Sequence, residues 1–338
     1  MSGLFIFIAL WTAIYGYMIL ASIDFGAGFY LFWGLTKKKA LFETMNEYLS
    51  PLSELINISY ILFFAVVCGF FSDWMFMYQQ ALAIPGIVAI GLVLVKGTFF
   101  AISELAQPQT KWYTIGIAGS GIVGMLIPLA LCATLVVSEG GFLQADLSHL
   151  PSFLGQLLGS FYFWTVMIIA IVSILYISAV FFVGFAHICG KEALSDRMRN
   201  FALFWSMPTV IASGLSFLGL ERQNSEHFAQ ALNHYWMFLL SLVCLLAAVT
   251  LVFLKRALRL SFACVMMQYY FALMGYTQSH LPYVITPNVR IPDQLERTVD
   301  SQLFSFLMLP LALLFVTVVL YVKERTARES DQFKRSAG

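Results

Sequence analysis

The chain opens on a long apolar segment that has one carboxylate inside it. Residues 3–33 contain no Lys or Arg, yet Asp24 lies within this run. About 20 apolar residues are enough for a helix to cross the hydrocarbon of a bilayer, so this segment can span one. A carboxylate at that depth costs roughly 2.5–3.5 kcal/mol, so we expect it to face a partner, a cavity or water. The alternative is a helix-end carboxylate that reaches headgroup water.

The remainder of the chain is just as apolar. Of its 338 residues 60% are hydrophobic and only 11% are charged, whereas soluble domains carry about 25% charged residues. This composition predicts an integral membrane protein. The net charge is +1, and no basic stretch is interleaved with exposed aromatic residues, so no nucleic-acid partner is expected. The five cysteines form no CxxC pair, which indicates neither a disulfide framework nor a cysteine-based metal site.

Apolar length predicts an all-α membrane protein with nine transmembrane helices. The predicted spans are 3–33, 54–71, 78–104, 112–137, 161–188, 199–220, 234–254, 258–279 and 302–322. The longest outer connection, 138–160, divides this single polytopic domain, 1–338. We expect a first four-helix bundle in 1–137 and a second in 138–279. Residues 280–338 then supply an outer loop, a peripheral ninth helix and a tail.

The positions of Lys and Arg predict the orientation. With the N-terminus outside, fifteen of the nineteen Lys and Arg residues fall in cytoplasmic loops or the tail. Only Arg222, Arg290 and Arg297 fall in outer loops, and Lys96 lies inside a predicted span. Because cytoplasmic loops carry the excess of Lys and Arg, we expect the N-terminus outside and the C-terminus in the cytoplasm.

This orientation brings a group of polar residues to the cytoplasmic half of the first bundle. Its members are Asp24, Glu54, Asn57, Lys96 and Glu104. Glu54 and Asn57 are three residues apart and share a helix face. Buried carboxylates joined by water suit a proton relay, because burial favours the protonated form. Alternatively, Glu54 is a helix N-terminal carboxylate stabilised by the dipole, Lys96 is the ion-pair partner of a buried carboxylate, and Glu104 lies at the surface.

The histidines predict that this chain holds no haem. An axial haem ligand has to point into the core of a bundle, but the histidines fall in predicted outer loops or at span ends: His149, His187, His227, His234 and His280. No metal-ligand spacing is evident either. The residues alone therefore predict a nine-helix membrane subunit with an acidic cluster that opens inward, and with neither cofactor nor metal of its own.

Several motifs in the first hundred residues resemble those of a known protein family. They are Ser22-Ile23-Asp24-Phe25-Gly26-Ala27-Gly28, Tyr48-Leu49-Ser50-Pro51 followed by Glu54, Pro85-Gly86, and Lys96-Gly97 ahead of Phe99 and Phe100. This order resembles subunit II of cytochrome bd-type quinol oxidases, in the form found in the Gram-positive branch. The chain differs from that family at Ser53, where Trp is common, and at Lys96, where Arg is common. Lys cannot make the planar bidentate contact of Arg, so the ion-pair geometry is expected to differ.

The resemblance implies a role in aerobic respiration. Subunit II pairs with a subunit I that carries haems b and d, oxidises quinol at the outer face and reduces oxygen to water. Asp24 and Glu54 would lie on a proton-uptake path from the cytoplasm, supported by Asn57, Lys96 and Glu104. The chain would then be a haem-free subunit of a proton-motive-force-generating oxidoreductase in the bacterial cell membrane. A small single-helix accessory subunit and membrane lipid are further expected partners.

Two alternatives remain from the residues. A proton-coupled secondary transporter could use the same two acids, although transporters often show inverted repeats and helices broken at the midplane. A structural scaffold could hold the acids without using them.

Overall fold

The architecture is almost entirely helical, in agreement with the predicted class. A computed structural model describes residues 2–35, 45, 72–107, 110–142, 150–287, 289–290 and 293–336. The predicted span 54–71, with Glu54 and Asn57, lies outside the described residues. Within them the helices are α1 Ser2–Leu35, α2 Ser72–Leu105, α3 Lys111–Ser138, α4 Leu150–Gly159, α5 Phe161–Ile188, α6 Glu192–Gln223, α7 Ser225–Asn233, α8 Tyr235–Phe253, α9 Leu258–His280, α10 Asp293–Val299 and α11 Gln302–Ser336. Strands β1 Tyr283–Ile285 and β2 Val289–Arg290 form a short antiparallel hairpin.

Apart from 54–71, each predicted span coincides with a helix. Within the described ranges, seven helices are long and apolar enough to cross a membrane: Phe7–Gly34, Ile84–Leu105, Lys111–Ser138, Phe161–Ile188, Glu192–Gln223, Tyr235–Phe253 and Gln302–Tyr321. The predicted span 258–279 is also helical, as α9, but it is not among these seven. A total of nine spans therefore stays a prediction.

Helices α1 and α5 form the centre of the molecule. Helix α1 packs against α3, α5, α9 and α11, and α5 packs against α1, α3, α6 and α9. Buried tyrosines tie these helices together, because the Tyr15 hydroxyl donates to the Met266 carbonyl at 2.8 Å and the Tyr30 hydroxyl donates to the Leu175 carbonyl at 2.9 Å. Such interhelical hydrogen bonds fix helices in surroundings where water cannot compete. One apolar core thus joins helices on both sides of the boundary predicted at residue 137.

Different helix termini meet at the two ends of the bundle. At one end the Arg197 guanidinium lies 4.8 Å from the Trp33 ring centroid, and Arg199 donates to the carbonyls of Val252 and Phe253. These contacts bring together the C-terminal ends of α1 and α8 and the N-terminal end of α6. At the opposite end the Trp11 indole donates to Thr277 at 3.1 Å. The helices therefore alternate in direction, while the side of the membrane that each end faces stays a prediction.

Candidate functional site

Gly26 and Gly28 lie beside Asp24 on α1, and because they have no side chain, the neighbouring helices α5 and α3 can pack closely there. A Cβ built on Gly26 would lie 2.5 Å from Ser178 Cβ and 2.8 Å from the Ile174 carbonyl oxygen, both on α5. A Cβ on Gly28 would lie 3.3 Å from the Cα of Gly121 on α3. Small residues at such crossings allow close helix packing in membranes. Helix α1 is therefore held between α5 and α3 at the depth of Asp24.

Asp24 is buried and forms an ion pair with Lys96. The Lys96 Nζ lies 2.5 Å from Asp24 Oδ2, and the two side chains are only 12% and 3% exposed. The same ammonium lies 5.3 Å from the centroid of the Phe25 ring. Its stem passes beside Gly124 of α3, where a Cβ would come 3.3 Å from Lys96 Cε. The pair compensates a carboxylate that would otherwise be buried with an unbalanced charge.

Of the other residues of the predicted acidic cluster, the structure describes only Glu104. Glu104 is exposed and lies on α2 roughly two turns beyond Lys96. Glu54 and Asn57 lie outside the described residues. Within the described part of the chain, the predicted cluster is represented by Asp24 and Lys96.

A second buried carboxylate, Glu139, was not singled out by the sequence. It follows the last residue of α3 and is only 3% exposed. Gly140 and Gly141 come next with φ of +84° and +85°, a backbone region that suits glycine. A Cβ on Gly140 would come 2.6 Å from the Thr286 carbonyl oxygen. The two glycines therefore let the chain turn tightly under the β1–β2 hairpin and keep the Glu139 side chain inside.

Four side chains from α7, α9 and the residue before α7 surround the Glu139 carboxylate. Its oxygens lie 2.9 Å from His227 Nδ1 and accept hydrogen bonds from Asn224 Nδ2 at 3.0 Å and from the Tyr276 hydroxyl. His280 Nδ1 lies 3.6 Å from Glu139 Oε1. Burial opposes ionisation, but the contacts with His227, His280 and Tyr276 outweigh it and hold the pKa of Glu139 below its usual value. We call Glu139, His227 and His280, with the donors Asn224 and Tyr276, the Glu139 cluster.

His227 lies in the connection between two spans, as predicted, but this connection is a short helix and not an irregular loop. His227 lies on that helix, α7, and is only 4% exposed. Asn224 begins this helix, because its side chain accepts a hydrogen bond from the His227 amide at 3.0 Å. The amphipathic α7 then turns His227 and Ala231 inward. Asn224 followed by an acid in the first turn is an N-terminal helix signal that could have revealed α7 from the sequence.

The described histidines do not fit the role of axial haem ligands. His227 and His280 face Glu139 beside a small cleft. His187 Nδ1 lies 2.8 Å from a Glu192 oxygen, and His234 Nε2 lies 3.3 Å from an Asp300 oxygen. All four lie at or beyond helix ends, whereas a haem ligand has to reach an apolar slot in the core. That this chain binds no haem nevertheless stays a prediction.

The fold and the buried charge pair define a class, and sequence comparison defines the family. The class is a multi-pass helical membrane protein with a carboxylate–lysine pair buried among its first helices. The sequence model of the family "Cytochrome bd terminal oxidase subunit II" matches residues 2–323. This chain belongs to that family, so the resemblance seen in the sequence is confirmed, and with it the expected location in the bacterial cytoplasmic membrane.

Two known proteins illustrate the relationship. A Bacillus subtilis protein described as "Putative cytochrome bd menaquinol oxidase subunit II" is 24% identical over 292 residues, covering 83% of each protein. A chain from the structure of the bd oxidase of Geobacillus thermodenitrificans superposes with a TM-score of 0.75 and 30% identity, covering 95% of this chain and 97% of that one. The family is one of quinol oxidase subunits, so this chain is a component of an oxidoreductase complex that includes a subunit I and contains haem.

Proposed function

We propose that this chain is the haem-free subunit II of a quinol:oxygen oxidoreductase and conducts protons from the cytoplasm toward the oxygen-reducing subunit I. Asp24 and Glu54 are the proposed proton carriers, with Asn57, Lys96 and Glu104 in support. Quinol is oxidised by subunit I and not by this chain. Family membership favours this function over the proton-coupled transporter.

The observation that carries the proposal is the buried pair of Asp24 and Lys96. Asp24 is one of the few buried ionisable groups of the described chain, and it lies within the transmembrane span Phe7–Gly34. Intramembrane ionisable residues are costly and commonly mark ion or proton routes. The Lys96 ammonium, 2.5 Å away, offsets the cost of keeping the carboxylate ionised. The pair thus keeps a proton acceptor at a depth where an uncompensated carboxylate would be costly.

Lys96 has a positioning role in this proposal. Its ammonium holds one Asp24 oxygen in place, while Gly124 leaves room for its stem. When Asp24 is protonated, the attraction to Lys96 weakens, and this favours onward release of the proton. The role of Glu54 rests on its place in the sequence, at the start of the predicted span 54–71.

The decisive variant is Asp24→Asn in the complex assembled with its natural partner. Asn keeps the shape but cannot take up and release a proton, so we expect oxygen consumption with a soluble quinol to fall roughly 100-fold, the lower end for loss of a proton-transferring group. Proton uptake from the inner side should fall with it in liposomes. Asp24→Glu restores a carboxylate and should recover much of the rate.

Assembly is checked by the haem absorbance of the purified complex. His187→Ala is a matched control, because His187 is an exposed residue paired with the exposed Glu192, and it should leave both rates unchanged. An Asp24→Asn complex with normal haem absorbance, unchanged oxygen consumption and unchanged proton uptake would refute the proposal and leave the scaffold alternative.

A further inference from the structure

In the Glu139 cluster, three side chains that are able to bind a metal ion converge on one point. Glu139 ends α3, His227 lies on α7 and His280 ends α9. One potential ligand atom from each lies within 4.8 Å of the other two. His227 and His280 also face a small cleft, lined in addition by Asn224, Glu226, Gln230 and Ser279. The two histidines therefore meet Glu139 beside this cleft.

Ser279 holds the second ring nitrogen of His227. Its Oγ lies 2.9 Å from His227 Nε2, and it is also within hydrogen-bond distance of the Gly275 and Tyr276 carbonyls, at 2.9 and 3.0 Å. The other nitrogen, Nδ1, faces Glu139. A metal-ligating histidine commonly has its second nitrogen held by an outer partner in this way.

The three potential ligand atoms face one another around one point. His227 Nδ1 lies 2.9 Å from the Glu139 oxygens and 3.4 Å from His280 Nδ1, and His280 Nδ1 lies 3.6 Å from Glu139 Oε1. A hydrogen bond joins one of these pairs at a time, whereas a metal ion could contact all three groups at once. In the described residues, no Lys or Arg forms an ion pair with Glu139 to supply a positive charge instead.

The spacing fits a small divalent ion. Zinc binds imidazole nitrogen and carboxylate oxygen at about 2.0–2.2 Å in a tetrahedron, so neighbouring ligand atoms lie about 3.3 Å apart. The observed separations of 2.9, 3.4 and 3.6 Å bracket that value. Asn224 and Tyr276 donate to the carboxylate and orient it, as outer partners do in metal sites.

We propose that Glu139, His227 and His280 bind a zinc ion, with water from the cleft in the fourth position. This departs from the sequence-based prediction of no metal, which rested on linear spacing. The ligands come from segments as much as 88 residues apart, between Glu139 and His227, so spacing along the chain cannot reveal them. The ion clips the end of α3 to α7 and α9. The proposal does not depend on the proton path at Asp24.

The test measures zinc in the whole complex purified without chelators from zinc-supplemented cells. Elemental analysis should find about one more zinc ion per complex in the wild type than in His280→Ala or Glu139→Gln, since a three-ligand site holds one ion. His187→Ala, which removes an exposed His–Glu pair, should keep the wild-type zinc content. Haem absorbance normalises each sample to assembled complex.

Zinc-edge X-ray absorption on the wild type gives a second readout that needs no variant. We expect nitrogen and oxygen neighbours at about 2.0 Å together with the outer-shell signature of two imidazoles. If His280→Ala does not assemble, this spectrum alone decides the matter. A wild-type complex that holds no zinc after growth with zinc and incubation with Zn²⁺ overturns the proposal. Zinc content that is equal in the wild type and both variants overturns it too.

Discussion

Asp24 and Glu139 are both buried carboxylates, but the chain compensates them in different ways. Asp24 lies within a transmembrane helix and faces a lysine, whose ammonium carries a full charge. Glu139 lies at the C-terminal end of α3, where the helix dipole disfavours an anion, and it faces two imidazoles, an amide and a phenol. Lysine provides one strong point charge, whereas the Glu139 cluster provides several directional ligands and donors.

The two sites are also far apart. Gly124, beside Lys96, lies in the middle of α3, whereas Glu139 follows the last residue of this helix, and fifteen residues of helix correspond to about 22 Å. A charge pair on helices suits a group that has to gain and lose a proton. A convergent cluster at helix ends instead suits a group that ties segments together.

The largest effect is expected from Lys96→Met. The change leaves Asp24 buried without its cation, and removing one partner of a buried pair costs about 3–5 kcal/mol. The thermal unfolding of the complex in detergent should show this loss. Lys96→Arg should retain most of the stability, and Asp24→Asn combined with Lys96→Met should recover part of it. Equal stability of Lys96→Met and the wild type would show that Asp24 is not charged in the folded protein.

A somewhat smaller effect is expected from Glu139→Gln. The amide keeps one oxygen acceptor but loses the charge, and hydrogen bonds to a charged group contribute about 1.5–3 kcal/mol. A chelator should lower the unfolding temperature of the wild type, and added zinc should restore it, because a ligand of the native state stabilises that state. Neither treatment should shift the variant. If a chelator lowered the unfolding temperature of Glu139→Gln as much as that of the wild type, zinc would not be bound by the Glu139 cluster.

Gly26→Ala tests the packing that holds Asp24 at its depth. The added Cβ would collide with Ser178 Cβ and with the Ile174 carbonyl oxygen, and overpacking costs about 2 kcal/mol. Gly91→Ala is the matched control, since a Cβ there meets nothing within 4 Å and alanine favours a helix by about 1 kcal/mol. We expect opposite shifts in unfolding temperature. Shifts of the same sign would mean that α1 and α5 are not closely packed at Gly26.

The smallest effect is expected from His187→Ala. His187 and Glu192 contact at 2.8 Å but are 55% and 66% exposed. Exposed ion pairs contribute about 0–1 kcal/mol, so the unfolding temperature of the complex should hardly change. If His187→Ala lowered the unfolding temperature as much as Glu139→Gln, exposed and buried His–Glu contacts would contribute equally to stability.

The helices could be predicted because apolar length is a local property of the sequence. Their ends were harder to place. Helix α6 begins at Glu192 and not near residue 199, because a charged helical turn can continue beyond the apolar window. Helix α11 likewise extends through the charged tail to Ser336. Composition identifies the segment that can cross the hydrocarbon but not the helix that continues into the headgroups.

The two carboxylate sites were not equally predictable. Asp24 stands out because it interrupts an apolar run, and Lys96 could be matched to it by depth once the orientation was assumed. Glu139 has no such contrast, since it follows a span and looks like an ordinary loop acid. Its partners become visible only when the folded chain brings α7 and α9 to the end of α3. The Glu139-Gly140-Gly141 turn was the available local signal, and it indicates a turn but no partner.

The polarity of α9 has a consequence for how the protein is made. This helix buries Gln268 and Gln278, and a polar side chain that enters lipid without protein partners carries a cost. It follows α8 through a short turn in which Lys255 and Ala257 have positive φ, and the two helices pack together. We therefore expect α8 and α9 to leave the translocon as a hairpin, after α5 is in place to receive them. The C-terminal third of the chain would then depend on earlier segments for its insertion.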